Sequence, residues 1–537
     1  MNNRTAIASL ALLIGVSLSW LLMSVPPSEN EPASPDKKRK NEVSFGGGDS
    51  KSKRKPGQAP KRREFDPNAI PHERVIVFKS EEAYRDFLAK LGKNGVRNLG
   101  TIDQLRAVRI GFDSLADLDA LELDPDETDY NYPVTIPENR EIAPQDGIVG
   151  FGGNALSFLG INTDNSQWGS GVTIAVIDTG ISPHLALSNN IQHINLVDLP
   201  DGVAPHSHGT SVASLIAGNH PGLMGVAPAA DLISVRVANE TGSSTSFILA
   251  EGIIAATDAG AQLINISMGA DGESLVVRQA IDYATENGAV IFASSGNEGA
   301  TQASSPASNP NVFSVGAVDA NGTHLNFSSA DPDLAFTAPG YEVTAAYPGD
   351  NATPFTGTSA AVAFPVGAVA AIMSESDIPL SAQQAVTILQ NTSNEAGLPG
   401  QDPNFGIGVL DVGRAMNRDT PGITDLAVAS HNYLLSTPQD STSGLQVSIE
   451  NRGTEPVFGA TVDINIGGDR FPYTVQSLQP NERTVVTIPA GQTQLLSEGS
   501  LEVSSSISLP GGSLDSQPAN DRRREVIRVE SPQGNGP

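Results

Sequence analysis

Between residues 171 and 416 the chain alternates continuous apolar segments rich in β-branched residues (VTIAVID, DLISVRV, QLINISM, AVIFASS, NVFSVGA) with helical patterns (SFILAEGIIAATDAG, LVVRQAIDYATENG, TSAAVAFPVGAVAAIMS). A strand that is apolar on both faces has to be covered on both. Strands of this kind separated by helices therefore predict an α/β fold, a parallel sheet with helices on both faces and right-handed crossovers. Ligands of such sheets sit beyond the carboxyl ends of the strands. Asp178 ends the first strand pattern, and Asn297 lies in the turn that leaves AVIFASS.

Two other patterns flank this region. Residues 74–133 read as a small α/β unit: strand RVIVF, helix SEEAYRDFLAKLG, strand LRAVRIGF, helix SLADLDALELD and a last strand TDYNYPV. From residue 421 the period changes to two, in LQVSIEN, ATVDINIGG, ERTVVTI, SLEVSSSISL and RREVIRV. With turns such as NRGTE and PGGS between them, these predict an all-β antiparallel sandwich of roughly seven strands.

The 537 residues exceed one core and fit about three units plus tails. The absence of cysteine excludes disulfides, a cysteine nucleophile and thiolate metal sites. Charge is uneven: residues 1–140 hold 21 basic and 21 acidic groups, residues 141–537 hold 11 and 39, and every lysine lies at or before Lys93. An acidic, lysine-free body repels nucleic acid, so no nucleic-acid partner is expected. Residues 1–25, with Arg4 and an apolar core at 6–25, read as a signal peptide or a membrane anchor, and either takes the chain out of the cytoplasm. The basic clusters that follow would lie outside if the run were an anchor with its amino end inside, against the usual charge bias, which favours a cleaved signal. Residues 26–68 are Pro, Gly, Ser, Lys and Arg with KKRK, KSKRK and KRR clusters, a basic disordered linker that cannot bury a core.

Four segments carry chemistry. VTIAVIDTGI, HSHGTSVASLIAG, VIFASSGNEG and FTGTSAAVAF place Asp178, His208, Asn297 and Ser359 at separations of 30, 89 and 62 residues. A serine hydroxyl needs a base to take its proton, and an imidazole needs an acceptor to fix its tautomer. Ser359, His208 and Asp178 supply those roles. Ser359 opens a long helix, so its own N–H is an unpaired donor, and the Asn297 amide offers a second donor to a developing oxyanion. His206 competes with His208 for the role of base, and the following Gly-Thr favours His208.

These segments, in this order, resemble the subtilisin-like serine peptidases over residues 147–418, with a peptidase domain expected at 145–419. The resemblance implies a serine endopeptidase acting on polypeptides through an acyl-enzyme on Ser359. It implies that Ser267, Met268 and Gly269, after Ile266, pair with an extended substrate, and that Ser295 and Gly296 form one wall of the primary pocket with Glu298 at its rim. Small residues along those walls imply a roomy pocket. Catalysis needs no cofactor in this family. A structural calcium has room elsewhere, but the short loop GNHPGLM stands where many relatives carry a calcium-binding loop. GTSAAVAFPVG also departs from the family pattern, with Ala363 at the expected helix proline and Pro365 two residues later.

By the same resemblance residues 69–137 are an inhibitory prosegment, the chain's own partner, whose tail YNYPVTIPENREIAPQ lies in the substrate groove and is cut within 133–145. Residues 423–530 are similar to immunoglobulin-like adhesion modules, with a cell-surface or extracellular partner. A catalytically silent surface scaffold is the competing reading, disfavoured by the presence of all four reactive groups. Gly357-Thr358-Ser359-Ala360-Ala361 lacks the second glycine of a nucleophile elbow, and GFGGNA follows no strand, so neither an α/β-hydrolase nor a dinucleotide site is expected.

Overall fold

The computed structural model describes residues 66–92, 95–137, 147–188, 190–434, 443–491 and 499–528, with 495 and 497 between the last two. The apolar run and nearly all of the linker expected at 1–68 lie outside the described residues.

The first region contains β1 (Glu73–Val77), α1 (Glu81–Lys90), β2 (Val96–Ile102), β3 (Ala107–Phe112), α2 (Leu115–Asp119), β4 (Thr128–Asp129) and β5 (Pro133–Thr135). Its antiparallel sheet runs β2-β3-β1-β4. α1 begins where the Ser80 hydroxyl accepts the Ala83 N–H, with Glu81 and Glu82 at the positive end of the helix. α2 begins with a Ser114/Asp117 capping box. It is shorter than SLADLDALELD predicts, because Glu122 turns to a φ of +48° and Pro125 follows. One face of the sheet closes over the helices around Ile76, Phe78, Tyr84 and Ile110.

The second region contains α3 (Ala155–Phe158), β6 (Thr173–Asp178), β7 (Ile191–Asn195), α4 (His208–Ala217), β8 (Asp231–Arg236), β9 (Ser243–Thr245), α5 (Ser246–Asp258), β10 (Leu263–Ile266), α6 (Leu275–Glu286), β11 (Val290–Ser294), β12 (Val312–Val318), β13 (Phe336–Pro339), the hairpin β14 (Val343–Tyr347) and β15 (Asn351–Phe355), α7 (Thr358–Ser374), α8 (Ala382–Asn391) and α9 (Val412–Asn417). Seven strands form one parallel sheet in the order β13-β12-β11-β10-β6-β8-β7. α4, α7 and α8 cover one face, and α5 and α6 the other. α7 runs unbroken through Pro365, its first fifteen residues all buried. The second face of the β1–β4 sheet docks here, Val75, Val77, Ile102 and Leu105 sharing a core with Phe247, Ile254, Val277 and Ile281.

The third region is all β: β16 (Leu426–Leu434), β17 (Gly444–Asn451), β18 (Val457–Ile466), β19 (Asp469–Leu478), β20 (Arg483–Ile488), β21 (Ser500–Ser508) and β22 (Arg522–Arg528). Sheets β16-β17-β20 and β19-β18-β21-β22 enclose one apolar core. Buried His431 links them, with Nε2 2.8 Å from Ser505 Oγ and Nδ1 3.2 Å from Glu525 Oε2.

A buried charge network joins this module to the parallel-sheet region. Glu450 of β17 accepts from Arg414 of α9 at 3.0 Å, from Arg452 at 3.0 Å and from the Glu395 N–H at 3.1 Å, while Arg483 of β20 donates to Glu395 at 2.6 Å. Burial pushes the Glu450 carboxyl up, but Arg414, Arg452 and Arg483 outweigh it and hold the group at about 2. Removing a carboxylate from buried guanidiniums leaves them unpaired, so Glu450→Gln should cost about 3 kcal/mol in urea unfolding. Asp463→Asn, which breaks the exposed Arg470 pair, should cost under about 1 kcal/mol. A carboxyl depressed from its ordinary 4.5 contributes stability that is present above that value and lost as pH falls toward 2. Glu395, pushed up to about 7 by burial, has the opposite sign between pH 4.5 and 7. Acid titration of stability should therefore show a loss below pH 4.5 that Glu450→Gln removes.

Candidate active site

The strand order reverses at β6, with β8 and β7 on one side and β10 to β13 on the other. A crevice opens at such a switch point beyond the strand ends. Asp178, last in β6, is fully buried, and both its carboxylate oxygens lie 2.9 Å from His208 Nδ1. A carboxylate only accepts, so Nδ1 carries the proton and Nε2 is left as the basic nitrogen. Gly209 is required: a Cβ there would sit 2.5 Å from the Gly180 carbonyl oxygen and 3.2 Å from Asp178. Thr179 pins the loop, its hydroxyl donating to the His206 carbonyl at 2.8 Å and accepting the Gly209 N–H at 3.0 Å. The edge of Phe355 meets the His208 ring at 5.3 Å between centroids. His206 faces a different partner: its Nδ1 accepts the His208 N–H at 3.3 Å, and burial, then the neighbouring His208, hold its pKa below the ordinary range.

Ser359 is the second residue of α7, preceded by Gly357 at φ +138°. A side chain at 357 would press on the Asn297 amide nitrogen at 2.9 Å, so glycine serves both the backbone and the neighbour. Asn297 Oδ1 accepts the Thr358 N–H and the Thr358 hydroxyl, each at 2.9 Å, and the Gly296 N–H donates to the same hydroxyl at 3.3 Å. With the oxygen fixed as acceptor, the amide NH2 faces the start of α7. The Ser359 N–H has no acceptor among the described residues, so two donors stand together there. The Ser359 hydroxyl donates to the Ser267 carbonyl at 3.3 Å and is not bonded to His208.

Ser267, Met268 and Gly269 follow β10 and form one wall of the cleft; the facing wall is β9. The chain's own β5 lies between them. It pairs antiparallel with β9, Pro133 opposite Thr245 and Thr135 opposite Ser243. Thr135 exchanges two 3.0 Å hydrogen bonds with Gly269, and the Ile136 N–H donates to the Gly242 carbonyl at 3.1 Å. Ile136, Pro137, His206, His208, Tyr347 and Phe355 line a cavity of about 580 Å³.

Ser304 lies between the Ser295–Gly296 segment and Gly269. The Ser304 N–H donates to the Ser295 carbonyl at 3.0 Å, and Ser305 pairs with Ala270. The Ser304 hydroxyl lies 2.6 Å from where a Cβ of Gly269 would be and 3.3 Å from that of Gly296. The Glu298 carboxylate lies 2.6 Å from the same point on Gly296.

Among the described residues no cluster of His, Asp or Glu is arranged to hold a metal ion. At the GNHPGLM loop the residues do not fit calcium: it offers no carboxylate, and the Gly225 and Val226 carbonyls accept from the Asn165 amide at 2.8 and 3.1 Å. Sequence reasoning missed Thr179, Thr358, Ser304 and β9. The only signal for β9 was its position, a polar TGSST segment after a strand at the carboxyl edge of the sheet.

Comparison with known proteins matches residues 169–408 to the model of the Subtilase family. The M-protease of Shouchella clausii (strain KSM-K16) is 32% identical over 338 residues, which cover 60% of this chain and 86% of that protein. Subtilisin Savinase of Lederbergia lenta is 37% identical over 231 residues, 43% of this chain and 86% of the relative. Among solved structures, fervidolysin from Fervidobacterium pennivorans, described as a keratinolytic enzyme related to subtilisin, aligns with a TM-score of 0.57 at 20% identity, over 86% of this chain and 77% of its own. The last match speaks for the fold; with the sequence relatives and the family model it leads to one conclusion, that this chain belongs to the subtilase family of serine proteases.

Proposed function

We propose that the chain is the precursor of an exported serine endopeptidase, and that Ser359, His208, Asp178 and Asn297 carry its reaction. The observation that supports this best is the pairing of a buried, carboxylate-held imidazole with a helix start whose free Ser359 N–H stands beside the Asn297 amide. In this reading Ser359 Oγ attacks the peptide carbonyl carbon while its proton passes to His208 Nε2. The oxyanion receives the Ser359 N–H and the Asn297 amide. Collapse breaks the C–N bond, His208 returns the proton to the leaving amine, and water then hydrolyses the acyl-enzyme by the same route. An extended substrate adds as a strand between β9 and residues 267–269, Ser267, Met268 and Gly269 supplying backbone partners and Ser295 and Gly296 the pocket wall.

We assign residues 69–137 to an inhibitory prosegment. The tail occupies the cleft as a substrate strand would, and the segment satisfies two helix starts of the parallel-sheet region. The Asp129 carboxylate accepts the Leu275 N–H of α6 at 2.6 Å. Asn131 Oδ1 accepts from Ser246 Oγ and the Phe247 N–H of α5 at 2.9 and 3.1 Å. Residues 423–530 are assigned to an immunoglobulin-like module held to the peptidase by the Glu450 network, its outer faces available to an extracytoplasmic partner. Export is read from residues 1–25, and no helix among the described residues is long and apolar enough to cross a membrane.

Ser359→Ala and His208→Ala should each abolish hydrolysis of a denatured protein, while His206→Ala keeps most of it; equal losses for the two histidines would overturn the choice of base. Asn297→Ala should lower kcat by about 100- to 1000-fold with KM little changed, the magnitude typical of losing an oxyanion donor in subtilisin.

The Ser304 hydroxyl closes the pocket floor, so peptides with alanine or serine before the cut should be preferred, and Ser304→Gly should raise the ratio of kcat/KM for phenylalanine over alanine by at least about tenfold. An unchanged ratio would remove Ser304 from the pocket.

Added to mature enzyme, a segment spanning 66–137 should inhibit, and one ending at Asp129 should inhibit at least about tenfold less, having lost the β5 ladder. Equal inhibition would show that the tail does not enter the groove.

A further inference from the structure

We propose that Pro137 is a brake on self-cleavage, acting by leaving the Ser267 carbonyl to the Ser359 hydroxyl. The proposal rests on the reading above, with Ser359 as nucleophile and the amino-terminal segment as occupant of the cleft.

Thr135 and Gly269 exchange both of their backbone hydrogen bonds, which marks them as a hydrogen-bonded pair of an antiparallel ladder. Such pairs recur at every second residue along each strand. The next pair is therefore residue 137 with Ser267, where the N–H of residue 137 would donate to the Ser267 carbonyl. Residue 137 is proline and has no N–H to give. The ladder stops accordingly: Thr135–Gly269 is an isolated bridge. On the facing wall the Ile136 N–H still bonds to Gly242, so the tail is held up to the residue before Pro137.

The Ser267 carbonyl that the tail leaves unused accepts the Ser359 hydroxyl instead, at 3.3 Å. A hydroxyl directed at this carbonyl is not directed at His208 Nε2, although Asp178 already holds that ring in the tautomer with Nε2 as acceptor. Pro137 lines the same cavity as His208 and Phe355, so it lies beside the imidazole while the serine hydroxyl is turned to the Ser267 carbonyl. A peptide with an N–H at this position would bond the Ser267 carbonyl, compete with the serine hydroxyl for it and release that hydroxyl toward the imidazole. Proline, alone among the common residues, cannot. The cleft thus discriminates by a backbone donor in the residue before the scissile bond, and the chain's own tail presents the residue without one.

The test compares full-length wild type with Pro137→Ala, following loss of the intact chain and the new termini by mass spectrometry. The variant should be cut at least about tenfold faster, with residue 137 as the carboxyl end of the released segment; an equal or slower rate overturns the brake. The uncuttable double variant Pro137→Ala, Ser359→Ala should unfold at the same temperature as Ser359→Ala or higher, and a lower temperature would trace faster cutting to a loosened tail and overturn the proposal. Two peptides extend the test to substrates: Thr-Ile-Ala-Glu-Asn-Arg should be hydrolysed by the mature enzyme after its alanine, and Thr-Ile-Pro-Glu-Asn-Arg should bind without being cut after its proline. Cleavage of both there at similar rates overturns the role of the Ser267 carbonyl. Failure of the underlying reading looks different: the Ser359→Ala chain would then acquire the same mature terminus as wild type.

Discussion

The first turn of a helix has backbone N–H groups with no helical carbonyl to receive them, and the start of α7 shows where each one goes. Thr358 N–H is taken by Asn297 Oδ1, and the Ala360 and Ala361 N–H groups converge on the Gly357 carbonyl at 3.0 and 3.3 Å. Ser359 N–H is left over. Much of the site follows from that accounting. Asn297 is turned so that its oxygen serves Thr358 and its NH2 faces the remaining donor, Gly357 has no side chain because the amide needs the space, and Thr358 carries a hydroxyl because Asn297 Oδ1 and the Gly296 N–H both bond to it. A chain that must leave a donor unpaired in a buried place needs a tight surrounding structure, and here α7 is packed under β10 to β13 with its first fifteen residues buried.

How much of this the sequence reveals depends on whether a feature is periodic or tertiary. The strands that became β6, β8, β10, β11 and β12 were legible because both their faces are buried, which forces continuous β-branched runs. β2, with a mostly exposed pattern in VRNLGTI, β19, with five of its first six residues exposed, and the edge strand β7 carry no such signal and were missed. α2 was read too long because its pattern continues past the point where Glu122 leaves helical backbone. Asp178, His208, Asn297 and Ser359 were legible through order and spacing. Thr179 and Thr358 act through contacts made 27 and 61 residues away and Ser304 across a loop to Ser295, and nothing local distinguishes them from ordinary turn formers. Pro137 stands in the sequence only as one residue of the tail; its position opposite Ser267 is a matter of register, which requires the paired strand.

The carboxyl-terminal module meets the parallel-sheet region through charge. Glu450 is surrounded by Arg414, Arg452 and Arg483, and the first comes from α9, beyond the matched family region. A buried carboxylate of this kind is stabilised only while its partners stay in place, so the two regions cannot separate without exposing or stranding four ionised groups. That geometry favours a fixed mutual orientation over a flexible tether.

The segment that caps α5 and α6 has a consequence for time as well as for structure. Were it removed, the Leu275 and Phe247 N–H groups would lose the Asp129 and Asn131 acceptors, and the core shared with Val75, Val77 and Leu105 would be opened on one side. The equilibrium balance of the remaining chain would then shift toward unfolding. A protein left in that condition would persist according to how slowly it unfolds, its working life set by the height of a barrier rather than by the depth of a well.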